Sequence, residues 1–300
     1  MIKILYSIII PHKNTPDLLQ RCLMSIPKRR DIEIIIVDDD SDSQIVDFNN
    51  FPGSNRVDVK TIFTKENKGA GFARNKGIKN ASGKWLLFAD ADDFFLDGFL
   101  TTLDIYRGSD ADIVFFNSTS VYSDSLLPAN RHTDINSLIN NYLDGKKDSQ
   151  NKLRYMFYYP FSKMIKRDMV SSNKILYDEI KVSNDVWFAV RIGYFAKKIL
   201  VDKAAIYCIT VRDNSLSKTP GETIFDIRIS TNLKVDKFMR KINVKNSHYP
   251  MFTYILQSRR YGIKKILKTT WLTIMNGSNI FLGLGRWAID KFKTNKKFEN

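Results

Sequence analysis

The chain has 300 residues, 43% of them hydrophobic, enough to bury one good core plus an accessory lobe. Two cysteines, Cys22 and Cys208, and three scattered histidines exclude a disulfide framework or a zinc site and point to a reducing compartment. The net charge of +15 is uneven: Lys and Arg against Asp and Glu stand at 14 to 14 over residues 1–100, 14 to 11 over 101–200 and 19 to 7 over 201–300.

The opening MIKILYSIII stops at Pro11 without a small-residue cleavage site, so it reads as a first strand and not a signal peptide. YSIIIPHKN, Tyr6 to Asn14, and EIIIVDDDSD, Glu33 to Asp42, are apolar runs that end in polar, turn-forming tails. Continuous rather than alternating apolar character predicts parallel strands buried on both faces. Between them, Leu18, Leu19, Cys22, Leu23 and Ile26 recur at helical spacing, with Asn14 or Thr15 available to cap and Pro16 in the first turn. This is a βαβ unit. In open sheets of this kind ligands bind beyond the carboxyl ends of the strands, where Pro11, Asp39 and Asp92 fall.

KENKGAGFARNKGIKNASGK, Lys65 to Lys84, is a glycine-bearing turn running into a small-residue helix that presents Arg74. Gly69 and Gly71 permit close backbone approach, and Arg74 offers a planar fork of donors. Arg74 stands where a dinucleotide fingerprint needs its third glycine, and no GxxxxGK[ST] occurs. Trp85 to Phe88 is the third strand, and FADADD follows. On an extended segment alternate carboxylates share a side, which predicts Asp90 and Asp92 facing one pocket while Asp93 turns away. That suits a hard divalent metal, Mg²⁺ or Mn²⁺; a solvated turn closing a strand is the other reading of DADD alone.

Farther along, Ile113 to Phe116 reads as a strand, Asn117 to Asp134 as polar loop, and RYMFYYPF, Arg154 to Phe161, as either cleft lining or core. Asp185 in VSNDVWF follows Ser183 and Asn184, all good capping types for a helix starting near Val186. Over Tyr261 to Ile274, Ile263, Ile266, Leu267, Thr270, Trp271 and Ile274 share a helical face, with Lys264, Lys265 and Lys268 largely off it. Such a helix meets either an anionic membrane surface or the catalytic domain. Polar residues interrupt Trp271 to Ile289, so no spanning helix is expected.

SIIIPHKN, EIIIVDDDSD, NKGAGFARNKGIKNASGKWLLFADADD, SKMIKRD and VSNDVWF, in that order, resemble the inverting family 2 glycosyltransferases, which use nucleotide-diphosphate sugars. The resemblance runs over roughly residues 1–220, densely to Asp93. It implies the α/β GT-A fold: a Rossmann-like, mixed, mostly parallel sheet with flanking helices, followed here by a C-terminal helical basic region. The nucleotide-sugar-binding half would be residues 1–105, the acceptor-binding half 106–220, and the helical, basic, membrane-associated region 221–300.

By the same resemblance Pro11 and its neighbour His12 line the nucleoside pocket and Asp39 contacts uracil. Arg74 reaches the nucleotide, Asp90 the ribose, and Asp92 of the Asp90-Ala91-Asp92 motif the metal, Mg²⁺ or Mn²⁺. Asp185 becomes the general base, and Lys163 and Arg212 fall where the family often has basic residues for the diphosphate or acceptor. Two departures stand out: Lys13 replaces an aromatic after the strand-end proline, and Asn184 replaces the glutamate before the catalytic aspartate. The implied reaction moves a sugar from a UDP-sugar donor to a lipid-linked surface glycan of O-antigen, capsule or exopolysaccharide type. The implied location is cytoplasmic, peripheral on the inner face of the cell membrane.

Two other classes compete. A sugar nucleotidyltransferase would carry a glycine-rich arginine loop after the first strand, but PHKNTPD has no glycine. A nucleic-acid binder would place its excess charge at the site, whereas here it lies away from carboxylate-rich strand ends that repel phosphate. No nucleic-acid partner is expected.

Overall fold

A computed structural model describes residues 3–212, 221–245 and 250–281. The chain divides into two compact units, Met1–Lys218 and Thr219–Asn300.

The first unit opens with β1 (Tyr6–His12), α1 (Pro16–Met24), β2 (Ile32–Asp39), β3 (Val59–Thr64), α2 (Ala70–Asn80) and β4 (Trp85–Phe88). It continues through β5 (Phe94–Phe95), α3 (Phe99–Ile105), β6 (Ile113–Tyr122), α4 (Thr133–Leu143) and α5 (Ser149–Met156). It closes with β7 (Lys163–Lys166), α6 (Arg167–Ser172), α7 (Asn184–Phe195) and β8 (Ile199–Val211). One eight-stranded sheet results, in the order β3-β2-β1-β4-β7-β6-β8-β5.

β3, β2, β1 and β4 run parallel, with Ile8 opposite Ile34 on one side and Leu87 on the other. Their apolar runs are continuous because both faces are covered: Ile8, Ile9, Ile10, Ile34, Ile35, Ile36, Trp85 and Leu86 are fully buried. From β1 the chain moves outward to β2 and β3, then returns to place β4 on β1's other flank. That reversal of direction opens a crevice at the carboxyl ends of β1 and β4. β7 then pairs antiparallel with both β4 and β6, and β8 runs parallel to β6.

Of the expected loop, Asn117 to Tyr122 is instead the second half of β6, which continues beside β8 through a register shift at Asn117. Its polar residues are buried but paired. Ser118 Oγ meets Ser162 Oγ at 2.5 Å, and Ser120 Oγ donates to the Ala129 carbonyl at 2.7 Å. A strand can bury hydroxyls at this low cost because each one finds a partner. Of the aromatic stretch, Phe157 sits in the core while Phe161 stacks on Tyr207 at 4.7 Å and also lines the crevice.

The second unit has α8 (Glu222–Lys241), α9 (Met251–Ser258), a 3-10 turn (Arg259–Tyr261) and α10 (Ile263–Met275). Phe225, Ile229, Leu233, Met251 and Tyr254 form its core, with Tyr261 and Leu272 against it. Of the apolar stripe on α10, most faces outward. Lys265, Thr269 and Thr273 are its buried residues, Ile266 and Thr270 are half-buried, and Ile263, Leu267, Trp271 and Ile274 are exposed. Lys265 turns inward because Glu222 and Asp226 lie 2.7 Å from its Nζ and neutralise it. No helix among the described residues is long and apolar enough to cross a membrane. Residues 282–289 of the Trp271 to Ile289 window, and the rest of the basic tail, lie outside the described residues.

Candidate active site

The carboxyl end of β1 carries Pro11 and His12. His12 is buried, its Nδ1 2.7 Å from Asp38 Oδ2, and its Nε2 accepts the Thr15 backbone N–H at 3.2 Å. These bonds assign the Nδ1–H tautomer and use both ring nitrogens, so His12 shapes the crevice wall rather than offering a free polar atom. Burial pushes Asp38 up, but hydrogen bonds from His12 and Ser41 outweigh it and hold the carboxyl below its ordinary value.

Asp39, next along β2, is also buried and anchors the glycine turn. Its Oδ1 accepts from Thr64 Oγ1 at 3.1 Å and the Lys68 N–H at 3.3 Å, and its Oδ2 from the Gly69 N–H at 2.5 Å. One lone-pair direction remains, on Oδ2. Gly69 makes this turn with φ of 89°, a region that disfavours side chains. Gly71 lies so close to the Asp178 carbonyl and Asn184 Cβ that any side chain would collide with both.

Arg74, on α2, is buried and double-bound. Nη1 donates to Asn184 Oδ1 at 2.9 Å, Nη2 to Asp90 Oδ1 at 2.6 Å, and the guanidinium lies 5.3 Å from the Tyr177 ring centre. Asn184, the residue that departs from the family pattern, is thus the neutral acceptor that brings α7 to Arg74. Burial weighs against the Arg74 charge, yet Asp90, Tyr177 and Asp185 raise its pKa overall.

FADADD does not stay extended. The Asp93 N–H donates to the Asp90 carbonyl at 3.1 Å, closing a turn. Asp93 therefore joins its neighbours: carboxylate oxygens of Asp90, Asp92 and Asp93 all lie within 4.8 Å of one another. Asp93 is buried and accepts the Thr210 N–H at 2.7 Å. Burial, then the charges of Asp92 and Asp90, push its pKa well up. The turn is braced by residues that carry no local sequence signal. Arg21 Nη2 and Thr210 Oγ1 donate to the Asp92 carbonyl at 2.7 and 2.8 Å, and the Asp90 N–H donates to Tyr207 Oη at 2.8 Å. Arg212 Nη2 meets Asp92 Oδ2 at 2.6 Å.

Asp185 sits in the first turn of α7, which begins at Asn184 with Ser183 as N-cap, so Asp185 is not the capping residue. Burial raises its pKa, opposed by Arg74. Asp185 does not line the crevice cavity, although its charge acts on both Arg74 and Lys163. Lys163 is not a free cation for substrate. It is buried, donates to the Phe157 carbonyl at 2.9 Å and lies 4.5 Å from the Phe157 ring centre. Burial lowers its pKa to about 7.

The cavity, about 370 Å³, is lined by Pro11, His12, Asp39, Arg74, Asp90, Ala91 and Asp92, and also by Asp93 and Arg212. Lys13 lines it too, its Nζ donating to Asn67 Oδ1 at 2.7 Å. Among the lining residues that sequence reasoning missed, which include Ile209 and Thr210, the charged one is Arg131. Its guanidinium makes no hydrogen bond or ion pair with any described residue, and nothing local in NRHTD distinguishes it from a loop arginine. Nε of Arg74 and of Arg212 are likewise buried without an acceptor.

Fold and site together place a crevice of carboxylates and guanidinium groups at the switch point of an open α/β sheet. Residues 7–172 match glycosyl transferase family 2, and the chain belongs to that family. EpsH of Bacillus subtilis, a protein named as a glycosyltransferase, is 25% identical over 228 residues, covering 73% of this chain and 64% of EpsH. A poly(ribitol-phosphate) beta-glucosyltransferase of Bacillus spizizenii is 28% identical over 235 residues, 73% of this chain and 35% of the relative. The chain thus spans less than two thirds of either relative's length. The crystal structure of S. aureus TarS, residues 1-349, in complex with UDP-GlcNAc superposes with a TM-score of 0.60 at 21% identity, covering 77% of this chain and 66% of TarS. The eight-stranded, mostly parallel sheet is a GT-A fold.

Proposed function

We propose that the chain is a metal-dependent, inverting glycosyltransferase that moves a sugar from a UDP-sugar to a hydroxyl of a growing, lipid-linked surface glycan. The observation that carries this reading is the crevice itself. It gathers Asp39, Asp90, Asp92 and Asp93 with Arg74, Arg131 and Arg212, and the Arg131 donors have no acceptor among the described residues. A nucleoside diphosphate supplies the acceptors those donors lack. The UDP-GlcNAc held by TarS and the polymer named for the B. spizizenii relative support the uridine donor and the glycan acceptor.

In this reading residues 1–105 hold the donor, with Pro11 and the Asp39 Oδ2 lone pair for the base, Asp90 for the ribose and Arg74 for the nucleotide. Residues 106–220 close the other side with Arg131 and Arg212, which face the diphosphate. An all-oxygen set within 4.8 Å fits Mg²⁺ or Mn²⁺, with Asp92 as the ligand flanked by Asp90 and Asp93. When bound, such an ion neutralises charge on the departing diphosphate. Asp185 takes the proton from the acceptor hydroxyl as that oxygen attacks the anomeric carbon opposite the leaving group. Its raised pKa makes it a better base than an exposed aspartate.

A panel of nucleotide sugars, assayed for nucleotide release with Mn²⁺ and again with chelator, tests the whole. UDP release that chelator abolishes is expected. In competition calorimetry with Mn²⁺, UDP should outcompete CDP by about tenfold, because cytosine lacks the N3–H that Asp39 accepts. Thymidine diphosphate shares that N–H and should follow closest, weakened by its missing 2′-hydroxyl. A preference for GDP would overturn the Asp39 assignment.

A further inference from the structure

We propose that the outward face of α10 is a docking surface for an anionic lipid bilayer, an inference that does not depend on the glycosyl-transfer reading. Ile263, Leu267, Trp271 and Ile274 are 67%, 63%, 59% and 55% exposed, with Met275 at 67%. They recur at intervals of four, four and three residues, so a helix sets them in one stripe. Phe281, just beyond, is 67% exposed.

Stripes of this kind ordinarily face inward, and here the helix is held the other way. On the opposite side Lys265, Thr269 and Thr273 are buried, and Lys265 is clamped between Glu222 and Asp226. Rolling the stripe inward would break that clamp and expose two carboxylates to an apolar face. The stripe is therefore fixed outward, and its cover must come from outside the unit's described residues.

Charge identifies the cover. Lys264 and Lys268 are exposed beside the stripe, and Arg259 and Arg260 are exposed one turn before it. Between Asp236 and Asp290 the sequence holds ten Lys and Arg and no acidic residue. A protein surface complementary to the stripe would have to pair the exposed cations singly, whereas an anionic headgroup layer meets Lys264, Lys268, Arg259 and Arg260 together while the acyl region takes the apolar side chains. A tryptophan flanked by lysines suits that boundary. Such docking would make the chain peripheral on the inner face of the cell membrane.

Flotation of the full chain with vesicles of phosphatidylcholine, with and without phosphatidylglycerol, tests this. At least tenfold stronger partitioning to the anionic vesicles is expected, weakening as salt rises. Leu267→Gln with Trp271→Gln should lose about tenfold of that partitioning at unchanged melting temperature, because both side chains are exposed. Lys264→Gln with Lys268→Gln should lose several-fold on anionic vesicles alone. Quenching of tryptophan emission by bromine-labelled lipid, strong in the native chain and reduced in Trp271→Phe, reads the contact without destabilising the fold. Equal partitioning of native chain and Leu267/Trp271 variant would overturn the proposal. So would a concentration-dependent dimer that the variant dissolves without any vesicle binding.

Discussion

The crevice and α10 leave opposite kinds of atoms without partners. In the crevice, apolar strands are fully covered and what remains unmatched is charge: Arg131 has no ion pair with any described residue, and Asp93 is crowded against Asp90 and Asp92 with no cation of its own among the described residues. On α10 the inward charge is settled, Lys265 lying between two carboxylates, and what remains uncovered is an apolar stripe with exposed Lys264 and Lys268 beside it. Each surplus is complementary to a different missing partner. Unpaired guanidinium and carboxylate groups call for an ionic ligand, whereas uncovered Ile, Leu and Trp call for an apolar phase.

The sharpest way to break that contrast is Asp185→Asn. If the crevice is catalytic, turnover should fall by about a hundredfold or more while UDP affinity and vesicle partitioning stay unchanged. Because burial raises the Asp185 pKa, native activity should fall as pH drops through a value above the ordinary carboxylate range. Normal turnover in the variant would move the base to Asp178 or Glu179.

Gly71→Ala should come next. A methyl group there meets the Asp178 carbonyl and Asn184 Cβ, so the segment leading to Asp185 must shift. A loss of about 1–3 kcal/mol in unfolding free energy and about tenfold in turnover is expected, read by chemical denaturation and steady-state kinetics. Unchanged stability would mean the segment yields without cost.

Arg131→Gln isolates the unmatched cation. KM for the donor should rise about tenfold with kcat nearly constant, the mark of a contact made equally in ground and transition states. An unchanged KM accompanied by weaker acceptor binding would move Arg131 to the acceptor side.

The smallest effect concerns Lys163. Its folded pKa, about 7, lies below the ordinary lysine value, so above pH 7 the unfolded chain binds the extra proton and stability rises with pH. The contribution is at most about 1.4 kcal/mol per pH unit. Lys163→Met should flatten the stability profile between about pH 7 and 8.5 relative to the native chain, as measured by urea unfolding. An identical slope would mean that Lys163 keeps its charge in the folded state.

How much of this was legible in the sequence follows from the range of the interactions involved. SIIIP, EIIIV and WLLF predict parallel strands buried on both faces, and the βαβ order then places Pro11, Asp39 and Asp92 at one edge, because strand direction and the crossover are local matters. The amphipathic pattern of α10 was equally local. Tertiary structure alone decided the rest. Asp93 enters the carboxylate group because Thr210, from β8, takes its side chain as the turn closes. Arg131 reaches the cavity from the segment after β6, whose polar half is a strand only because Ser162 and Ala129 satisfy its hydroxyls. Lys163, in SKMIKRD, is inside because Phe115 and Phe157 enclose it. The direction in which α10 faces was set by Glu222 and Asp226, about forty residues earlier, which made the charged side the cheaper one to bury. Periodicity is fixed by neighbours in the chain, but which face turns inward depends on partners that only folding brings near.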